Sequence, residues 1–114
     1  MEDISRKLIA SIKKDKIYTG YRRARKAVAS DPVLMQRIGE MREETIRLYR
    51  DPGDRDLAGV SAEIRSKYED LFGRPEVNAY LEAEEALVGL IRSINADLLT
   101  GMGFILPPED REKG

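Results

Sequence analysis

Three glutamates have the type and spacing to take part in chemistry. Glu43 and Glu44 follow Glu40 at three and four positions, so one helix face would present all three as possible metal ligands. A helical bundle that binds two metal ions normally adds Glu-x-x-His pairs, and this chain of 114 residues contains neither histidine nor cysteine. Disulfides, thiol nucleophiles, imidazole bases and Cys or His zinc sites are therefore excluded. We predict no metal site, no cofactor and no enzymatic activity.

A basic cluster is the second candidate site. Arg22, Arg23, Arg25 and Lys26 follow three further lysines at positions 13, 14 and 16. Such a cluster could contact the phosphates of RNA or DNA, with a binding constant that falls as salt rises. Residues 1–30 carry nine basic and three acidic side chains, a net charge of +6, whereas the whole chain carries -1. A solvated face, or pairing with acidic helices, is the favoured interpretation, and a small RNA-binding module is the alternative.

One apolar frame occurs twice at helical spacing. Residues 21–28 read Y-R-R-A-R-K-A-V and residues 80–87 read Y-L-E-A-E-E-A-L, so the pattern Tyr-x-x-Ala-x-x-Ala-aliphatic is filled once with bases and once with acids. Two such helices are suited to lie beside other helices, within one molecule or between molecules. The residues predicted to form a partner or oligomer interface are Tyr21, Tyr80, Glu84, Leu87, Ile91 and Phe104.

Glu84 has two possible positions on its helix. A strict heptad through Tyr80 and Leu87 buries Glu84, which would then need a basic partner. A small rotation of the helix turns Ala83 inward and leaves Glu84 at the edge. The rotated arrangement is favoured because it buries no charge.

The periodicity of apolar residues is helical along the whole chain. A first helix carries Ile4, Leu8 and Ile12, and the charged residues 13–16 predict either a break or a change of direction before a second helix. Asp31 and Pro32 end that helix and begin the next, because Asp can cap free N–H groups and Pro is tolerated in the first turn. The following seam consists of Leu34, Ile38, Met41, Thr45 and Leu48.

A helical hairpin follows from the next segments. Residues 51–54, D-P-G-D, predict a turn, and a second seam contains Leu57, Val60, Ile64, Lys67 or Tyr68, and Leu71. Pro75 then begins a helix that should run to about Thr100, roughly 39 Å long at the usual rise per residue. We therefore predict an all-α bundle of about five helices with a long αα-hairpin and a long C-terminal helix.

The domain boundaries and the oligomeric state follow from the same pattern. Residues 1–106 should form one helical domain, and residues 107–114 a flexible tail. The last helix has a wide apolar face, which predicts oligomerisation through helix faces into a dimer or tetramer. Phe104 and Leu106 are expected to pack back onto the bundle, and the alternative is a docking strip for a partner. Because no apolar run approaches a membrane span, a cytoplasmic location is expected.

Two segments of the chain resemble the YlbF/YmcA family of small helical bacterial regulators. They are residues 17–32, I-Y-T-G-Y-R-R-A-R-K-A-V-A-S-D-P, and residues 74–95, R-P-E-V-N-A-Y-L-E-A-E-E-A-L-V-G-L-I-R-S-I-N, with the hairpin between them. The resemblance extends to about Met102. It implies an oligomeric, non-enzymatic, all-α adaptor.

The resemblance implies that, as in Bacillus-like bacteria, two related adaptors of this kind join a third protein in a complex that modulates ribonuclease-dependent mRNA processing. That complex supports competence, sporulation and biofilm formation. Some of these complexes hold iron-sulfur clusters through cysteines, a property that is not transferred to this cysteine-free chain. The partners that the resemblance implies are related family proteins and a ribonuclease complex.

Overall fold

The structure, a computed structural model, describes residues 2–105. It contains six helices: α1 (Glu2–Lys13), α2 (Lys16–Ala29), α3 (Pro32–Arg50), α4 (Leu57–Lys67), α5 (Glu69–Phe72) and α6 (Pro75–Gly101). No strand occurs within 2–105, so the all-α prediction is confirmed. None of the helices in this range has the length and apolar character needed to cross a membrane. The predicted flexible tail, residues 107–114, lies outside the described residues.

The chain divides into two compact units. Among the described residues, one comprises residues 2–22 with 81–105, and the other comprises residues 23–80. The boundaries fall inside α2 and α6, which each contribute residues to both units. The assignment of residues 1–106 to a single domain stays a prediction.

Aspartates begin three of the helices. The Asp15 carboxylate accepts the N–H of Ile17 at 2.8 Å, so α1 and α2 are separate helices, a question that the periodicity left open. Asp31 caps α3 by accepting the N–H of Leu34 at 3.2 Å. Asp56 caps α4 in the same way, with the N–H of Gly59 at 2.7 Å. Each cap satisfies a backbone donor that the first helical turn leaves without a partner.

The core of unit 23–80 is the predicted hairpin. α3 buries Leu34, Ile38 and Met41, and α4 buries Val60 and Ile64. The turn between the two helices includes Gly53 at a φ of 67°, a backbone conformation that glycine adopts without strain. Leu57 was predicted on the seam but is exposed, because it is the first residue of α4 and lies next to the turn.

The second seam is interrupted at Tyr68. Its backbone angles, φ -111° and ψ 33°, end α4, and the short helix α5 follows. This break makes six helices where about five were predicted. Tyr68 is nevertheless buried, as is Leu71, so the apolar pattern continues across the break. The side-chain amide of Asn78 on α6 donates to the carbonyl of Phe72 at 2.9 Å and fastens the start of α6 to the end of α5.

Glycine ends α6. Gly103 has a φ of 92°, its N–H donates to the carbonyl of Thr100, and the N–H of Phe104 donates to the carbonyl of Leu99, each at 3.0 Å. This pair of bonds is a Schellman motif. The Phe104 side chain is 62% exposed, so the expectation that it packs back onto the bundle is wrong. Leu106, which was expected to pack with it, lies outside the described residues.

Candidate interaction surfaces

A cluster of acids and bases joins α3 to the end of α4. The carboxylate oxygen Oε1 of Glu44 accepts hydrogen bonds from the Lys67 ammonium and, at 3.1 Å, from the Arg47 guanidinium. The Glu44 side chain is only 10% exposed, and its other oxygen, Oε2, is buried with no hydrogen-bond partner among residues 2–105. The Lys67 ammonium lowers the pKa of Glu44 below its ordinary range, and the neighbouring Tyr68 hydroxyl acts in the same direction.

Arg37 covers the break between α4 and α5. Its guanidinium lies 4.4 Å from the centre of the Tyr68 ring and donates to both carboxylate oxygens of Asp70, at 3.2 Å each. It also reaches the carbonyl of Lys67 at 3.4 Å, which the interruption of the helix leaves available. The pairing lowers the pKa of Asp70 and raises that of Arg37. One side chain of α3 therefore binds the residues on both sides of the break.

Two of the three glutamates considered as metal ligands pair with basic side chains. Glu40 pairs with Arg37 at 3.4 Å, and Glu44 pairs with Lys67 and Arg47. No group of three or more acidic side chains within 2–105 is arranged to hold a metal ion. Sequence reasoning missed the contribution of Arg37 and Lys67. The available signal was the ambiguity of Lys67 and Tyr68 on the second seam.

The predicted interface residues of unit 23–80 and of α2 are largely enclosed. Tyr80 is 3% exposed and lies in the core, with the Arg42 guanidinium 5.3 Å from the centre of its ring. Tyr21 is half-buried, and its ring centre lies 6.5 Å from that of Tyr18. A substitution at Tyr80 would therefore alter the fold of its unit before it altered an interface.

The other predicted interface residues belong to the second half of α6 and its exit. Leu87 and Glu84 are half-buried, as is Ala83, whereas Ile91 is 48% exposed. Ile91 shares one side of the helix with three more exposed apolar residues, at spacings of three, seven and four. This apolar stripe consists of Val88, Ile91, Leu98 and Met102. Phe104 and Ile105, both exposed, follow it.

An open groove runs along the adjacent side of α6. Its lining residues recur every three or four positions, and they are Leu81, Glu84, Glu85, Val88, Gly89, Arg92, Ser93 and Ala96. Glu85, Val88, Gly89 and Arg92 in its middle are exposed. The groove combines apolar, acidic, basic and very small side chains on one helix.

The basic cluster of α2 is accessible to solvent. The side chains of Arg22, Arg23, Arg25 and Lys26 are all exposed, so each can reach an anionic partner.

A comparison with known proteins identifies the family. A family model described as "Control of competence regulator ComK, YlbF/YmcA" matches residues 1–102. Neither the curated proteins nor the solved structures include a match to this chain. The matched range contains all six helices, both repeats of the Tyr-x-x-Ala frame and the groove on α6. The chain therefore belongs to the YlbF/YmcA family of regulatory proteins.

Proposed function

We propose that this protein is a non-enzymatic adaptor that regulates through contacts with other proteins. The observation that carries the proposal is the apolar stripe of α6, defined by Val88, Ile91, Leu98 and Met102, together with exposed Phe104. A single exposed apolar side chain is ordinary, but a stripe along one helix that continues past its end is typical of an interaction surface. A helix with such a stripe binds a groove or another helix on its partner.

The regulatory context comes from the family. Its description names control of a competence regulator. We propose that the partners are related family proteins and a ribonuclease complex, and that the protein modulates ribonuclease-dependent mRNA processing in developmental programmes. Self-association into a dimer or tetramer belongs to the same proposal, with Tyr21, Glu84 and Leu87 at the margin of the contact surface.

The stripe can be tested with two matched isoleucines. We expect Ile91→Asp to remove partner proteins, because a carboxylate placed in an apolar contact loses its hydration without gaining a partner. Ile46→Asp is the control, since Ile46 is 58% exposed on α3 and Ile91 is 48% exposed on α6. The tagged proteins are captured from extract of their own organism after ribonuclease treatment, and bound proteins are identified by mass spectrometry.

The expected result is a set of related small helical proteins, or a ribonuclease, that wild type and Ile46→Asp retain and Ile91→Asp loses. Recovery of the same set of proteins with wild type, Ile46→Asp and Ile91→Asp would count against the stripe as the contact surface.

The alternative function, an RNA-binding module, is supported by the exposure of Arg22, Arg23, Arg25 and Lys26. A set of wild-type partners that disappears with ribonuclease, with RNA binding that weakens steeply as salt rises, would favour that alternative.

A further inference from the structure

The groove of α6 carries a line of residues whose spacing is the same in both directions. From Leu81 the line passes through Glu85, Val88, Gly89, Arg92 and Ala96, with steps of four, three, one, three and four. A second copy of this line, turned end over end, would match it position for position. The midpoint falls between Val88 and Gly89.

We propose that this groove binds the same groove of a second copy of the chain, with the two α6 helices antiparallel and a two-fold axis between Val88 and Gly89. The inference deepens the proposed function, because it gives the self-association a surface, a direction and a register. A two-fold interface must be self-complementary, so each residue has to suit the one that the axis places opposite it.

Charge selects the antiparallel direction. In this register Glu85 lies opposite Arg92 of the second copy, and Arg92 lies opposite Glu85 of the second copy. Both side chains are exposed in the protomer, and at seven residues apart they are about 10.5 Å apart along their own helix, too far to pair with each other. A parallel pair would instead place Glu85 against Glu85 and Arg92 against Arg92, which is repulsive.

Side-chain size agrees with the same register. Val88 lies opposite Gly89 of the second copy, so an exposed branched side chain meets a position without a side chain. At the ends of the line Leu81 is half-buried and Ala96 is buried in the protomer, so the proposed contact is made by the four exposed positions between them. Glycine is unfavourable inside a helix, and a Cβ placed on Gly89 would meet no atom within 4 Å in the protomer. The packing of the protomer therefore does not require glycine at this position. In the proposed dimer, glycine at this position lets the second helix approach closely.

Self-pairing uses Val88 and leaves the other residues of the apolar stripe available. Ile91 is one residue before Arg92 on the helix, which turns it about 100° away from the line. Leu98 and Met102 lie on the same side as Ile91 and beyond the end of the line. An antiparallel dimer therefore presents Ile91, Leu98 and Met102 of each chain to other partners.

Exchange of the two charges tests the direction and the register together. We expect Glu85→Arg and Arg92→Glu each to weaken the wild-type dimer at least about tenfold, since each variant places like charges opposite each other. The double variant restores both pairs in reverse and should dimerise like wild type. An equimolar mixture of the two single variants should form heterodimers, because every Arg then faces a Glu. Asp97→Arg, another exposed acid of α6, is the control and should not change dimerisation.

Association is measured by sedimentation equilibrium on the full chain, with circular dichroism of each variant. Gly89→Leu is a second variant, which should abolish the dimer and preserve the helical signal. The proposal would be overturned if both single variants formed dimers as stable as the wild-type dimer. It would also be overturned if the double variant stayed monomeric while its helical signal was intact.

Cross-linking gives an independent readout, because the chain has no cysteine of its own. Val88→Cys lies next to the axis and should form a disulfide dimer on mild oxidation. Glu85→Cys alone should not, whereas a mixture of Glu85→Cys with Arg92→Cys should. A disulfide dimer of Glu85→Cys alone would indicate parallel helices and refute the register.

The two proposals fail in different ways. If the dimer has another register, or wild type is monomeric, the inference fails while Ile91→Asp can still lose its partners. If the charge exchange behaves as expected and no partner depends on Ile91, the adaptor function fails and the dimer stands.

Discussion

At the scale of single residues, Glu44 of α3 is a charged group with little access to solvent. Its side chain is almost enclosed, it receives hydrogen bonds from Lys67 and Arg47, and one of its oxygens is buried without a hydrogen-bond partner among residues 2–105. Burial of a carboxylate is tolerated only when cations compensate it. Lys67 comes from α4, so this compensation also ties the two helices together.

We predict that Lys67→Met destabilises the protein near neutral pH and raises the pKa of Glu44. Lys67 is the main cause of the lowered pKa, and its loss leaves a nearly buried carboxylate with too little compensation. Arg47→Met is the matched control. It also removes a donor to Glu44 Oε1, but the Arg47 side chain is mostly exposed, so its loss should have less effect. NMR titration and urea unfolding measure the two effects.

The difference in stability between wild type and Lys67→Met should depend on pH with a definite sign. Because the pKa of Glu44 in the folded state lies below its ordinary value of 4.5, the ionised form contributes stability above that value. This contribution is lost as pH falls through the folded-state pKa. The stability difference between wild type and Lys67→Met should therefore shrink on acidification below about 4. A difference that is constant from pH 7 to pH 3 would show that Glu44 is not its source.

At the scale of elements, the helix boundaries depend on side chains that satisfy the backbone. Asp31 precedes Pro32 and accepts the N–H of Leu34, so the first turn of α3 is held by a cap and a proline together. Asp56 does the same for α4. The two caps begin the two helices of the hairpin and so position its buried seam.

We predict that Asp31→Ala lowers the free energy of unfolding by about 1 kcal/mol, the usual value of an N-cap side chain. Asp31→Asn keeps an acceptor oxygen at the same place and should leave stability nearly unchanged. Urea unfolding of the three proteins at pH 7 measures the difference. Equal losses for Ala and Asn would mean that charge, and not the capping hydrogen bond, is responsible.

The break at Tyr68 could not be predicted from local pattern. The sequence around it has no glycine or proline, and the residue lies on the apolar stripe of a helix that could continue to Leu71. In the structure Arg37, thirty residues earlier, bonds the carbonyl of Lys67 and the carboxylate of Asp70. A tertiary contact from Arg37 therefore satisfies the Lys67 carbonyl that the break leaves without a helical partner. Local helix propensity does not include such a contact.

At the scale of the whole molecule, the two compact units share helices. α2 continues through position 22 and α6 through position 80, where the units divide. Helix formation is cooperative over neighbouring residues, so we expect a helix common to both units to couple their unfolding.

We predict a single thermal transition, as expected of one domain over residues 1–106. The calorimetric and van't Hoff enthalpies should agree at one protein concentration, and the proposed self-association predicts a midpoint that rises with concentration. Differential scanning calorimetry at two concentrations tests both expectations, and a midpoint that does not change with concentration would contradict the proposed self-association. Two resolved transitions would instead show that residues 23–80 fold independently of the rest.

Periodicity and helix punctuation in the sequence by themselves determined that the protein is helical, that a hairpin lies between Pro32 and Lys67, and that Pro75 begins a long helix. These features follow from local chemistry, because caps, prolines and apolar spacing act over a few residues. The sequence also carried the motifs of the family. Only the tertiary structure decided that Tyr80 is buried, that Phe104 is exposed, and that Arg37 and Lys67 meet the residues around Tyr68. These outcomes depend on contacts between segments that are far apart in the sequence. The apolar pattern on one helix does not specify which segments those contacts bring together.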